Sequence, residues 1–202
     1  MKTLTDIRHA LLGKTVMVAA PGPSLDRVHA IRRKECDALI ACNLAVTTVP
    51  SDWWVVVDDP GRIRDEGRKA KFLAVDKSMP LIAPKTSLGW NREFYAFNPV
   101  SPFNTKILRM GTIKHQAPQD PPDLPCFAGV PFAAACAAFV MGAKHVILAG
   151  VDYRGSIHDN PIQIRRINDS FQLLYGWCLK NARVLEQGNE NSLVQIIETA
   201  RR

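Results

Sequence analysis

One short run late in the chain gathers side chains that can move a proton and hold an anion: Gly150-Val151-Asp152-Tyr153-Arg154-Gly155-Ser156-Ile157-His158-Asp159. His158 is the candidate general base, because an imidazole titrates near neutrality, at about 6.5 when unperturbed. Asp152 or Asp159 would orient the ring and hold its charge, and Asp152 could instead orient a ligand hydroxyl or pin the loop. Arg154 would meet a phosphate. Tyr153 would stack on a ligand or hydrogen-bond to it. An exposed loop histidine and a tyrosine packed at a rim are the plainer alternatives.

Further candidates stand earlier in the chain. Gly22, Pro23 and Ser24 follow the apolar run Thr15 to Ala20. Strand, glycine turn and helix start together present backbone N–H groups and a helix N-terminus to a phosphate. Gly22 would let a ligand approach the backbone, while an ordinary tight turn with Ser24 as helix N-cap uses the same residues. Asn43, closing a second apolar run, would hydrogen-bond a base or ribose, or simply turn the chain. Asp58 and Asp59 suit Mg²⁺, a hard cation that takes carboxylate oxygens beside phosphates. They suit equally an N-cap ahead of Pro60-Gly61. Gly129 opens an apolar helix and is a further position for nucleotide contact.

The elements that must position these residues follow from periodicity. Apolar runs near 15–20, 37–42, 53–57, 144–149 and 183–185 read as buried strands, with weaker candidates at 72–75 and 81–83. Helices are expected from Thr5 to Gly13, Ser24 to Lys34 and Arg62 to Lys71. Two more are expected over Val130 to Met141 and along Ile164, Ile167, Phe171, Leu174 and Cys178, with a last one after Asn191. Strands alternating with helices, without hairpin turns, predict a single Rossmann-like α/β domain over 1–202: a mostly parallel sheet with helices on both faces. Residues 84–125 read as a loop-rich insertion or lid, since Gln116 to Pro125 alone carries four prolines. In a parallel sheet most of the candidate residues converge on the carboxyl rim, where ligands bind.

Composition narrows the partners. The chain has 202 residues, 47% of them hydrophobic, enough for one buried core. A net charge of +7 suits anionic partners, but the cations are dispersed and no aromatic-and-basic stripe marks a nucleic-acid reader. No Gly-x-x-x-x-Gly-Lys-Ser/Thr sequence occurs, which excludes a P-loop. Five scattered cysteines without a Cys-x-x-Cys pair, no apolar signal core and no run of about 18 apolar residues predict reduced thiols and a cytoplasmic protein without a transmembrane segment. Trp53, Trp54 and Trp177 read as core, and His9, His29 and His145 as structural or exposed.

The order of motifs resembles two related groups. Gly22-Pro23-Ser24-Leu25 is similar to the Gly-Pro-Ser-Leu signature of bacterial lipooligosaccharide sialyltransferases. The MptE-like family, named for an archaeal 6-hydroxymethylpterin diphosphokinase, shares that signature. Cys42-Asn43 resembles the sialyltransferase Cys-Asn. Ser51 to Pro60 resembles the MptE-like Pro-Asp-Ile-Val-Val-x-x-Asp-Pro. Ala128-Gly129-Val130 and the run Gly142 to Tyr153 resemble the Ser-Gly-Val helix and Gly-Ile-Asp-Phe strand of both groups, and Asn191-Ser192-Leu193 resembles the sialyltransferase terminus. Pro21 and Ala128 replace an Asn and a Ser of the sialyltransferases, and the segment carrying their catalytic His is much shorter here.

The resemblance implies a nucleotide pocket and a nucleotide-dependent transferase, foremost a glycosyltransferase using a CMP-sugar. The alternatives it implies are an ATP-dependent pterin diphosphokinase needing Mg²⁺ on Asp58 or Asp59, and a non-catalytic nucleotide-binding accessory protein. The partner would be a nucleotide-activated small-molecule donor. The acceptor is a glycan, a pterin-like molecule or nucleic acid, and homo-oligomer formation stays open.

Overall fold

The run Thr15-Val16-Met17-Val18-Ala19 is apolar at every inward position because both of its faces are covered. It forms β1 (Thr15–Ala19), an interior strand of a parallel sheet. The computed structural model describes residues 2–100, 123–125, 129–153 and 161–188. The other strands are β2 (Ala38–Cys42), β3 (Trp53–Val55), β4 (Leu81–Pro84), β5 (Tyr95–Val100), β6 (Asp123–Pro125), β7 (His145–Ala149) and β8 (Val184–Gln187). The α-helices are α1 (Leu25–Arg32), α2 (Glu66–Leu73), α3 (Val130–Val140) and α4 (Pro161–Lys180), joined by short 3₁₀ turns.

The strand order is β6-β5-β4-β3-β2-β1-β7-β8, and every adjacent pair is parallel. Succession from β1 to β6 runs one way across the sheet, and β7 to β8 the other way. The reversal falls between β1 and β7, in register from Thr15↔His145 to Ala19↔Ala149. This is the Rossmann-like arrangement expected from the alternation of strands and helices.

Period-two alternation sorts each strand onto two cores. Val16, Val18, Ile40, Val55 and Ile82 face α3 and α4. Met17, Leu39, Ala41, Trp54 and Ile147 face α1 and α2. Nine of the eleven α3 residues are buried, so that helix is enclosed all round. Its alanines let it lie close to the sheet, and Phe132 meets Phe171 of α4 edge-on at 5.1 Å. Trp54 anchors the opposite core, fully buried, with Trp90 edge-on at 5.1 Å and Phe72 at 5.8 Å.

Three local expectations are corrected. The helix expected from Thr5 to Gly13 is a 3₁₀ helix over Leu4–Ile7 followed by turns. Residues 72–75 do not form a strand. The Asp65 carboxylate caps α2 by accepting the Arg68 N–H at 2.8 Å, and a helix starting there runs through Phe72 and Leu73. Residues 84–125 are not all loop, since β5 and β6 lie within them. Asn98 and Pro99 hide β5 from a propensity reading, yet it pairs with β4 through Ile82↔Tyr95 and Ala83↔Ala96. The backbone N–H of Ala96 donates to the carbonyl of Lys2, which ties the amino-terminal residues to the same strand. The expected terminal helix lies outside the described residues.

Truncating Phe132 tests the buried helix. Phe132→Ala should lower the unfolding free energy by about 3–5 kcal/mol in urea titration. A loss below about 1 kcal/mol would contradict the packing.

Candidate functional site

At the point of reversal the exits of β1 and β7 are bonded to one another. Ala20 N–H donates to the Ala149 carbonyl at 2.8 Å, continuing the ladder past the strand ends. The Ser24 backbone N–H and hydroxyl then donate to the two carboxylate oxygens of Asp152, each at 2.8 Å. Asp152 is 2% exposed and Ser24 8%. A carboxylate taken out of water in this way needs such donors. Ser24 therefore holds the β7 loop and makes no side-chain cap to its own helix, unlike the N-cap reading.

The glycines follow from this approach. A Cβ on Gly22 would sit 2.1 Å from the Gly150 carbonyl oxygen and 2.7 Å from an Asp152 carboxylate oxygen. Gly150, at φ +68°, would place a Cβ 2.0 Å from the Ala20 carbonyl oxygen. Gly22 is thus required by contact between two loops, a reason that needs no ligand. Pro23 is exposed at the outside of the turn.

Beside this junction three more residues have left-handed backbones: Asn43 at φ 49°, Tyr153 at φ 54° and Gly129 at φ 86°. Bulky residues with positive φ are strained, and such strain clusters at ligand sites. The Asn43 carbonyl accepts the Trp54 indole N–H at 2.7 Å. That contact fixes the turn at the end of β2 and holds the side chain at the rim. Its Oδ1 is buried and has no hydrogen-bond partner among the described residues. The Tyr153 hydroxyl lies 3.0 Å from where a Gly129 Cβ would stand, so only glycine fits there at the start of α3. Burial raises the Tyr153 pKa above its ordinary value and keeps the phenol protonated as a donor. Gly129, the residue that opens α3, has no side chain with which to cap the helix. The exit of β7 thus meets the start of α3 through Tyr153 and Gly129, and Asn43 closes β2 on the same rim.

Asp58 and Asp59 stand farther along the same rim. Asp59 caps the turn Pro60–Arg62: Oδ1 accepts the N–H groups of Gly61 and Gly89 at 2.9 Å, and Oδ2 that of Leu88 at 3.3 Å. Asp58 is paired with Arg68 at 2.7 Å. Both carboxylates are thus committed to protein donors, an arrangement that does not fit a Mg²⁺ site. Among the described residues, no three His, Cys, Asp or Glu side chains cluster as metal ligands. A cavity of about 420 Å³ opens here, lined by Asp58, Asp59, Arg62, Arg64, Thr86 and Ser87 among others. In sequence these arginines fall in the polar run Arg62 to Lys71, which reads only as a helix. The spacing of Arg62, Arg64 and Arg68 around the Asp pair was the available signal.

Gly22, Ser24, Asn43, Asp58, Gly129 and Asp152 all stand at strand ends or helix starts of one rim, with Gly22, Ser24 and Asp152 in direct contact. Arg154 and His158 lie outside the described residues. Among the described residues no helix is long and apolar enough to cross a membrane.

No family model and no curated protein matches the sequence. Among solved structures, a mutant of the alpha-2,3/8-sialyltransferase CstII resembles the chain at 12% identity, over 89% of this chain and 83% of that one, with a TM-score of 0.47. At that identity and score the likeness carries no argument about this chain. The MptE-like resemblance finds no support in these comparisons.

A double-mutant cycle tests the junction. Asp152→Asn should cost about 1–3 kcal/mol of stability. In a Ser24→Ala background the added loss should shrink by about 0.5 kcal/mol or more. Strict additivity in chemical denaturation would show that the two side chains do not act together.

Proposed function

We propose that this chain is a nucleotide-dependent transferase, and most specifically a glycosyltransferase taking a sugar from a CMP donor. The observation that carries the reading is the buried Oδ1 of Asn43, without a partner among the described residues, in a strained turn at the end of β2, on the same rim as the start of α3 and the protonated Tyr153 hydroxyl. An acceptor oxygen suits the amino group of a base or a ribose hydroxyl. Backbone N–H groups at a helix start, with a phenol beside them, suit a phosphate. The motif resemblance around Gly22, Asn43, Gly129 and Asp152 supports the same reading.

In the proposed reaction an acceptor hydroxyl oxygen attacks the anomeric carbon of the donor. The bond from that carbon to the phosphate oxygen breaks, and its electron pair leaves on the nucleotide. His158 takes the acceptor proton, an assignment that rests on sequence alone. Arg154 is assigned to the departing phosphate on the same ground. Asp152 is a positioning residue in this scheme, since Ser24 engages both of its oxygens. The diphosphokinase reading is weaker, because it needs Mg²⁺ on carboxylates that already serve backbone and guanidinium donors.

A thermal-shift panel of CMP, CDP, UDP, GDP and ATP, with and without Mg²⁺, tests the reading. CMP should stabilise the protein without Mg²⁺, and Asn43→Ala should weaken its binding about tenfold, near 1.4 kcal/mol. A response confined to ATP with Mg²⁺ and lost in Asp58→Asn would replace sugar transfer with the diphosphokinase. No response to any nucleotide would leave an accessory protein without nucleotide chemistry.

Once turnover is measurable, His158→Ala should lower it about 10²-fold or more with nucleotide binding nearly unchanged. A mutant as fast as the wild type removes His158 from the mechanism.

A further inference from the structure

We infer that the cavity at the ends of β3 and β4 recognises an anionic group, phosphate or carboxylate, carried by the acceptor. That the anion belongs to an acceptor rests on the transferase reading; that the cavity binds an anion does not.

Three arginines and three aspartates line it, so a count of charges decides nothing. Their commitments decide it. Asp59 is satisfied by three backbone N–H groups, Asp65 caps α2, and Asp58 is paired with Arg68. The carboxylates thus have donors already, and Arg68 has its acceptor. Arg64 makes no hydrogen bond or ion pair among the described residues. The Arg62 guanidinium is 82% exposed and stands 3.8 Å from Asp59, beyond hydrogen-bond reach. Two guanidiniums with unused donors remain, and such groups grip phosphate or carboxylate in a bidentate fork.

The walls are built. Asp59 ties the turn 59–61 to the loop 86–89, and the two backbones touch so closely that a Cβ on Gly89 would fall 2.2 Å from the Gly61 nitrogen. This contact fixes the loop that brings Thr86 and Ser87 into the lining of the same cavity as the arginines. The cavity shares the rim of the Asn43 cluster. β3 adjoins β2, and β4 lies one strand beyond it, so the strands that lead into the two sites are about 5–10 Å apart across the sheet. One acceptor could hold its anion here and present a hydroxyl toward the donor.

Isothermal titration of the nucleotide-free full chain with glucose 6-phosphate, glucuronate and neutral glucose tests the inference. At least one anion should bind, more weakly as NaCl rises, and glucose should not. A preference between the two anions names the group as phosphate or carboxylate. Arg62→Gln with Arg64→Gln should weaken binding at least about tenfold while leaving the CMP response unchanged. Should the pair not fold, Arg64→Gln alone reads the same loss, because that side chain has no partner to lose among the described residues. Absence of binding by either anion overturns the inference, as does binding that survives these substitutions. Saturable Mg²⁺ binding abolished by Asp58→Asn overturns it in favour of a cation site. Anion binding without any nucleotide binding keeps the anion site and removes the acceptor assignment. CMP binding without anion binding overturns this inference and leaves the transferase reading standing.

Discussion

The buried contact between Ser24 and Asp152 is the constraint on which the rest of the rim depends. It joins residues 128 positions apart in the chain. It ties together the two loops that leave β1 and β7, where the strand order reverses. A carboxylate that is 2% exposed is tolerable only while its donors stay in place. Those donors sit on a turn that can come close only because Gly22 and Gly150 lack side chains. The polar bond and the two glycines are one device: each would be costly without the other. The exit of β7, and so the direction in which Tyr153 leaves the sheet, is set by this device.

The sheet beneath it is stiff for a separate reason. β1 and β2 are covered on both faces, by α3 and α4 on one side and by α1 and α2 on the other. Their carboxyl ends therefore emerge at fixed spacing, and the turns after them absorb the strain. Asn43 and Tyr153 carry that strain as left-handed backbone. A left-handed non-glycine residue costs of order 1–3 kcal/mol, so the surrounding structure must hold it. The Trp54 indole does so for Asn43 by bonding its carbonyl. Trp54 is itself locked by Phe72 and Trp90. The unmatched acceptor at the rim is thus positioned from the core outward.

The same construction recurs at β3 and β4 with a different outcome. Asp59 also joins two turns across a glycine contact, but it does so at a more open part of the rim. It leaves a cavity where the Ser24–Asp152 contact leaves a closed seam. One rim therefore offers an enclosed polar cluster near Asn43 and an open, arginine-lined hollow beyond it. A donor and an acceptor make those two kinds of demand.

What the sequence determined by itself is the layer structure, because burial on both faces writes unbroken apolar runs into parallel strands. Thr15 to Ala19, Ala38 to Cys42 and His145 to Ala149 could be read this way. The alanine-rich α3 could be read too, since a helix apolar all round has to be enclosed. Gly22, Ser24, Asn43, Gly129 and Asp152 were legible as strand-end or helix-start positions on one rim. Their partners were not. Nothing local to Ser24 says that its hydroxyl reaches Asp152 instead of capping α1, because that choice is made by a residue 128 positions later, past the end of β7. Nothing local to Asp58-Asp59 separates a metal pair from a loop tie, because the donors that decide it come from Leu88, Gly89 and Arg68. β5 was invisible for the same reason: with Asn98 and Pro99 in it, only pairing to β4 makes it a strand. Local pattern encodes which faces are buried, whereas hydrogen-bond partners and cavity walls come from residues far apart in sequence, and only the tertiary structure decides those.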